Sequence, residues 1–210
     1  MTRNVFDPTN LNASVFSGTS GSAINELSSP RGLAHDSVSG RLFIVDNGNH
    51  RVVSYLSGVP TVVAGGNGPG TLNTQLSSPT GLAFDSSSHS LYISNIGSHN
   101  IVRWIVNASS WTLVAGSPIG GVGSTPTTFY SPFCVTLDPL GNVYVVDYTN
   151  ARIQMFAPGK LNGTTIAGVT SMSGNHPNLL YAPLSMALDS NLNLYVADSG
   201  NQRIQKFLRY

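Results

Sequence analysis

The sequence has little of several things that narrow a protein's function quickly. It contains a single cysteine, Cys134, so no internal disulfide can staple the fold. Charged residues make up 9% of the 210 positions, against about a quarter in an average soluble protein. Ten Lys and Arg balance nine Asp and Glu to a formal net charge of +1, which leaves no basic footprint for neutralising phosphates. No apolar run approaches the roughly 18 residues that a membrane helix needs. The first ten residues, Met1 to Asn10, lack the apolar stretch of a secretion signal. These absences argue against nucleic-acid and membrane partners, and they point to the cytoplasm if the chain is full length.

What the sequence does have is a repeat. Four prolines, Pro30, Pro79, Pro132 and Pro183, follow one another at 49, 53 and 51 residues. Each opens a short apolar run that ends in an aspartate: Asp36, Asp85, Asp138 and Asp189. A turn of Ser, Gly and Asn leads to a second run, ending at Asp46, Asn95, Asp147 and Asp198, and a four-residue turn leads to a third, from Arg51, Asn100, Arg152 and Arg203. A fourth run closes three of the units: Val62–Gly65, Leu113–Gly116 and Ile166–Gly168. Runs of four to six β-branched or aromatic residues between turn formers are strands, and no stretch has helical periodicity. A unit of about 50 residues with four strands, here called a to d, has the size of a propeller blade. The expected fold is an all-β, four-bladed propeller with four antiparallel strands per blade. The blades span about 27–65, 76–116, 129–168 and 180–207, in one domain covering 1–210. The last blade lacks strand d, and Ser14–Gly18 is expected to supply it and close the ring. That closure removes an exposed strand edge.

The pattern Asp-x-x-Asn-x-Arg-Ile-x-x-Phe, at Asp147 to Phe156 and Asp198 to Phe207, resembles the NHL repeat, weakly so in blade two. NHL propellers usually have six blades. The resemblance implies an interaction scaffold, with two alternatives. One is a propeller enzyme of the metal-dependent lyase or lactonase type, and the other is an RNA-binding domain with a basic face.

A meander puts the b–c turns and the d–a loops on one face. The pairs Asp46 and Arg51, Asp147 and Arg152, and Asp198 and Arg203 then flank b–c turns, and in blade two both members change together, to Asn95 and Asn100. Such paired change points to structural bridges that clamp the turn. The aspartates after strand a are expected to cap their own a–b turns. No spare carboxylate pair remains for general acid–base work, so no catalytic residue is assigned. His50, His99 and His176 share the loop face, but none is on an inner strand and no carboxylate base accompanies them. No metal site or cofactor is therefore assigned. Cys134 occupies a slot filled elsewhere by Gly32, Gly81 and Ser185, where small size explains it.

Loops carried by a rigid scaffold are where binding concentrates. The expected binding residues on that face are His50, His99, Phe129, Tyr130, Tyr148, His176 and Tyr181. A polar, nearly uncharged surface suits a protein or peptide partner, and a glycan is the other ligand class it suits. A monomeric, non-enzymatic scaffold is the expected function.

Overall fold

The computed structural model describes residues 19–209, which form fifteen β-strands and three single-turn 3-10 helices. The first sheet contains β1 (Pro30–Asp36), β2 (Arg41–Asp46), β3 (Arg51–Leu56) and β4 (Val59–Gly65). The second contains β5 (Pro79–Asp85), β6 (Ser90–Asn95), β7 (Asn100–Ile105) and β8 (Thr112–Gly116). The third contains β9 (Pro132–Leu137), β10 (Val143–Asp147), β11 (Arg152–Phe156) and β12 (Thr164–Gly168). The fourth contains β13 (Pro183–Leu188), β14 (Leu194–Asp198) and β15 (Arg203–Phe207). Each sheet is an antiparallel meander in sequence order, and the four are blades of a β-propeller. The expected closing strand, Ser14–Gly18, lies outside the described residues.

The inner strands β1, β5, β9 and β13 pack successively. Each begins at its proline, which can head a strand because it has no N–H to contribute, and each has a register irregularity within the next few residues. The inner strands approach closely, and this is why the axial slot is small. A Cβ on Gly81 would stand 2.8 Å from the Cα of Cys134, and one on Gly32 2.6 Å from the carbonyl oxygen of Thr80. The Cys134 thiol is pushed above its usual range by burial, as suits a packing residue rather than a nucleophile.

Blade joins repeat one contact pattern. Val52 of blade one shares a core cluster with Leu82 of blade two, Ile101 with Val135, and Ile153 with Met186. Rings fill the wedges between blades, with Phe43, Tyr55, Trp104, Tyr144 and Phe156 all buried. At the two ends the same slots are uncovered. Leu33, equivalent to Leu82, is 61% exposed, and Ile204, equivalent to Ile153, is 68% exposed.

On the face away from the b–c turns, each strand-a aspartate holds its own turn. Asp36 accepts from the Val38 N–H and the Ser39 hydroxyl, and Ser39 foremost holds its carboxyl below the usual range. Asp138 accepts from the Leu140 and Asn142 N–H groups. Asp85 and Asp189 do the same in their turns.

Candidate functional site: the loop face

The motif residues organise the d–a loops. In blade three, Asp147 stands fully buried at the end of β10. Its Oδ1 accepts the N–H of Tyr130 (2.9 Å), and its Oδ2 accepts from Asn150 Nδ2 and Arg152 Nε (both 2.8 Å). Asn150 also donates to the Gly123 carbonyl (2.8 Å). The Arg152 guanidinium reaches the carbonyls of Ser124 (2.9 Å), Thr125 (2.8 Å) and Thr128 (3.0 Å). One carboxylate, one amide and one guanidinium thus fasten the whole loop that enters the blade. Asp46, Asn49 and Arg51 hold Gly21, Ser22, Ala23 and Glu26 in the same way. Asp198, Asn201 and Arg203 hold Gly174, Asn175, His176 and Leu179. Burial works against ionisation of Asp198, yet donation from the Tyr181 N–H, Asn201, Arg203 and Gln205 holds its carboxyl below the usual range.

Blade two rebuilds this clasp without charge. Asn95 accepts the Ser77 N–H and donates to Asn100 (3.2 Å), while Ser98 Oγ reaches the Gly70 carbonyl (3.1 Å) in place of the asparagine. The carbonyl that takes arginine in the other blades is that of Gln75, and here the indole of Trp111 donates to it (2.9 Å).

The histidines stitch neighbouring blades. His50 Nδ1 accepts the N–H of Ser78 (3.0 Å), and His99 Nδ1 accepts that of Ser131 (3.2 Å). Both acceptors sit in left-handed backbone, as do Ala151 and Gln202 in the same turn position. The Nδ1 atoms of His50 and His99 are thus engaged within the scaffold, and that of His176, on the exposed loop, bonds Asn178 (2.6 Å). Among the described residues no group of three His, Cys, Asp or Glu side chains is placed to hold a metal ion. The three histidines therefore do not fit a metal centre of the propeller-lyase kind. Burial pushes His99 below the usual histidine value, so unfolded chain takes up its proton first as pH falls. The stability His99 gives as a neutral acceptor is complete above about pH 6.5. It is lost as pH falls through the lower, folded value. Replacement by the glutamine found in blade four tests this. The melting temperature of wild type is expected to drop further between about pH 7.5 and about pH 5 than that of His99→Gln, and equal drops would contradict it.

The aromatic set divides. Phe129, expected on the surface, is fully buried and edge-on to Phe156. It fills the slot of Leu76 and Leu180, so it is core and not a binding residue. Tyr148 is half-buried and packs on Phe133. Tyr130 and Tyr181, two residues before their prolines, are exposed, the former edge-on to His99. Sequence reading missed the aliphatic part of the surface. Leu72, Ile119, Val122 and Met172 project from the d–a loops, Ile119 with 82% of its surface exposed. Their position between glycine- and proline-rich turns was the available signal.

Comparison with known proteins agrees with this construction. The NHL-repeat profile matches residues 27–55, 129–156 and 180–207. Three of the four blades thus match the NHL repeat. The unmatched NHL-like blade is the one whose clasp is Asn95 and Asn100. A search of curated proteins gives no match to the sequence. Among solved structures, the chain is similar to an auxiliary nutrient binding protein from Bacteroides ovatus, at 16% identity and TM-score 0.67 over 87% of this chain and 49% of that one. It is similar to a gluconolactonase from Xanthomonas campestris, at 16% identity and TM-score 0.66 over 86% and 58%. It also resembles a chain of a nidogen/laminin complex, at 17% identity and TM-score 0.61 over 87% and 65%. At such identities the likeness is one of fold, and the chain spans about half the length of the first two of these structures.

Proposed function

We propose that this NHL propeller is a binding module that docks a protein or peptide partner on its loop face. The observation that carries the reading is the combination of exposed apolar side chains with tightly fastened loop backbones. Leu72, Ile119, Val122, Tyr130, Met172 and Tyr181 are displayed on loops whose carbonyls are held by buried or half-buried side chains. Apolar groups left in water are the part of a surface that gains most from association. Holding them on ordered loops reduces the entropy that binding must otherwise overcome. Fold likeness to a nidogen/laminin complex and to a nutrient binding protein agrees with this reading, and that to a gluconolactonase does not add a catalytic group to this chain.

The test compares capture by wild type with capture by a variant carrying Ile119→Ser, Tyr130→Ala, Met172→Ser and Tyr181→Ala. The variant's melting temperature is measured first. Proteins retained by wild type and lost by the variant are then purified and titrated against both. The expected result is a loss of affinity of at least tenfold. Equal affinity for wild type and variant would remove the loop face from the reading.

A further inference from the structure

The opposite face, which carries the a–b and c–d turns, has clefts where blades adjoin. Between blades two and three lies one of about 310 Å3, and between blades three and four one of about 370 Å3. They are equivalent by the repeat. Tyr92, Arg103, Val114 and Val143 line the first where Tyr144, Met155, Ile166 and Leu194 line the second. Between blades one and two the corresponding join is packed with Phe43, Trp104, Val106 and Trp111.

The cleft between blades two and three carries two cations where its equivalent carries one, Arg209. Arg103 replaces a methionine, and Lys160 joins it from the c–d turn of blade three. Arg103 uses only Nε within the protein, donating to Ser90 Oγ (3.0 Å). Its η nitrogens and the Lys160 ammonium have no hydrogen-bond or ion-pair partner among the described residues. Tyr92 is also freed. In blades three and four the equivalent tyrosines donate to the strand-a aspartate, Tyr144 to Asp138 (3.0 Å) and Tyr195 to Asp189 (3.3 Å). In blade two Ser87 and Ser88 occupy Asp85 instead, and the Tyr92 hydroxyl has no hydrogen-bond partner among the described residues. Two cations and a tyrosine therefore line one cavity, together with Thr112 and an aliphatic wall of Leu113, Val114 and Val143.

We propose that this cleft binds a small organic carboxylate with an apolar body. The guanidinium η edge matches the two oxygens of a carboxylate, Lys160 adds charge, and the aliphatic wall takes the body. A cavity of this size suits a small ligand rather than a folded partner.

The experiment titrates 4-phenylbutyrate into the 15N-labelled protein, with 4-phenylbutyramide as its neutral counterpart. Arg103→Met is the diagnostic variant, because methionine is the residue blade three carries at that position. Its melting temperature is measured alongside, and the two probes on wild type give an answer that needs no variant. The expected result is saturable shifts of the Gly141, Gly159 and Leu161 amides with the carboxylate. Binding should be at least tenfold weaker for the amide probe and for Arg103→Met. Equal binding of the two probes, unchanged affinity in Arg103→Met, or no saturable shift at those amides would overturn the assignment.

Discussion

Arg152→Ala should destabilise the protein by about 3–5 kcal/mol, the range for removing one partner of a buried ion pair. The Arg152 side chain is only 2% exposed, and its loss leaves Asp147, whose carboxyl is already pushed above the usual range by burial, with one donor fewer. It also strips the Ser124 and Thr128 carbonyls of their arginine donor and leaves that of Thr125 with the Thr128 N–H. For a chain of this length the melting temperature falls by roughly 6–20 °C. Arg203→Ala makes the matched comparison. Arg203 has the same partners but is partly exposed, so water can replace it and the loss should be about 1 kcal/mol. Thermal melts of the two variants check both values, and equal losses would mean that burial is not what gives the clasp its strength.

Ile153→Ala should cost about 2–4 kcal/mol, the range for truncating a core isoleucine. Ile153 is fully buried in the join between blades three and four, where it meets the cluster containing Met186. Ile204→Ala removes the same atoms from the equivalent slot of blade four, where nothing among the described residues covers them. It should change stability by less than about 0.5 kcal/mol. Denaturant unfolding of the pair measures the difference directly. A large loss in Ile204→Ala would show that the outer face of blade four is covered in solution.

The fold was legible because each unit states it again. Four prolines at nearly even spacing, each followed by runs of strand length, leave little room for another architecture. The Asp–Arg pairs were legible for a related reason, since blade two changes both members at once. The rest of the clasp was not. The acceptors of the arginine η nitrogens are backbone carbonyls, and a carbonyl has no letter in the sequence. The same holds for the histidines, whose partners are the N–H groups of Ser78 and Ser131 in the next blade. Phe129 shows where fuller use of the repeat gives the right answer. It aligns with Leu27, Leu76 and Leu180, a slot that is apolar in all four blades, and so belongs to the core. The cleft holding Arg103 and Lys160 joins residues from two blades on the face opposite the loops, and sequence gives no distance between them.

The proposed docking role requires that the clasps fix the d–a loops and so hold their apolar side chains in place. Hydrogen–deuterium exchange of the free wild-type protein, resolved to the loops, tests this most directly. The amides of Gly123, Tyr130, Gly174 and Tyr181 are bonded within the clasped loops. They should exchange on the timescale of strand amides such as those of β10 and β11, and in Arg152→Ala those of Gly123 and Tyr130 should lose that protection. Exchange of these amides in wild type at the rate of an unstructured chain would contradict the account.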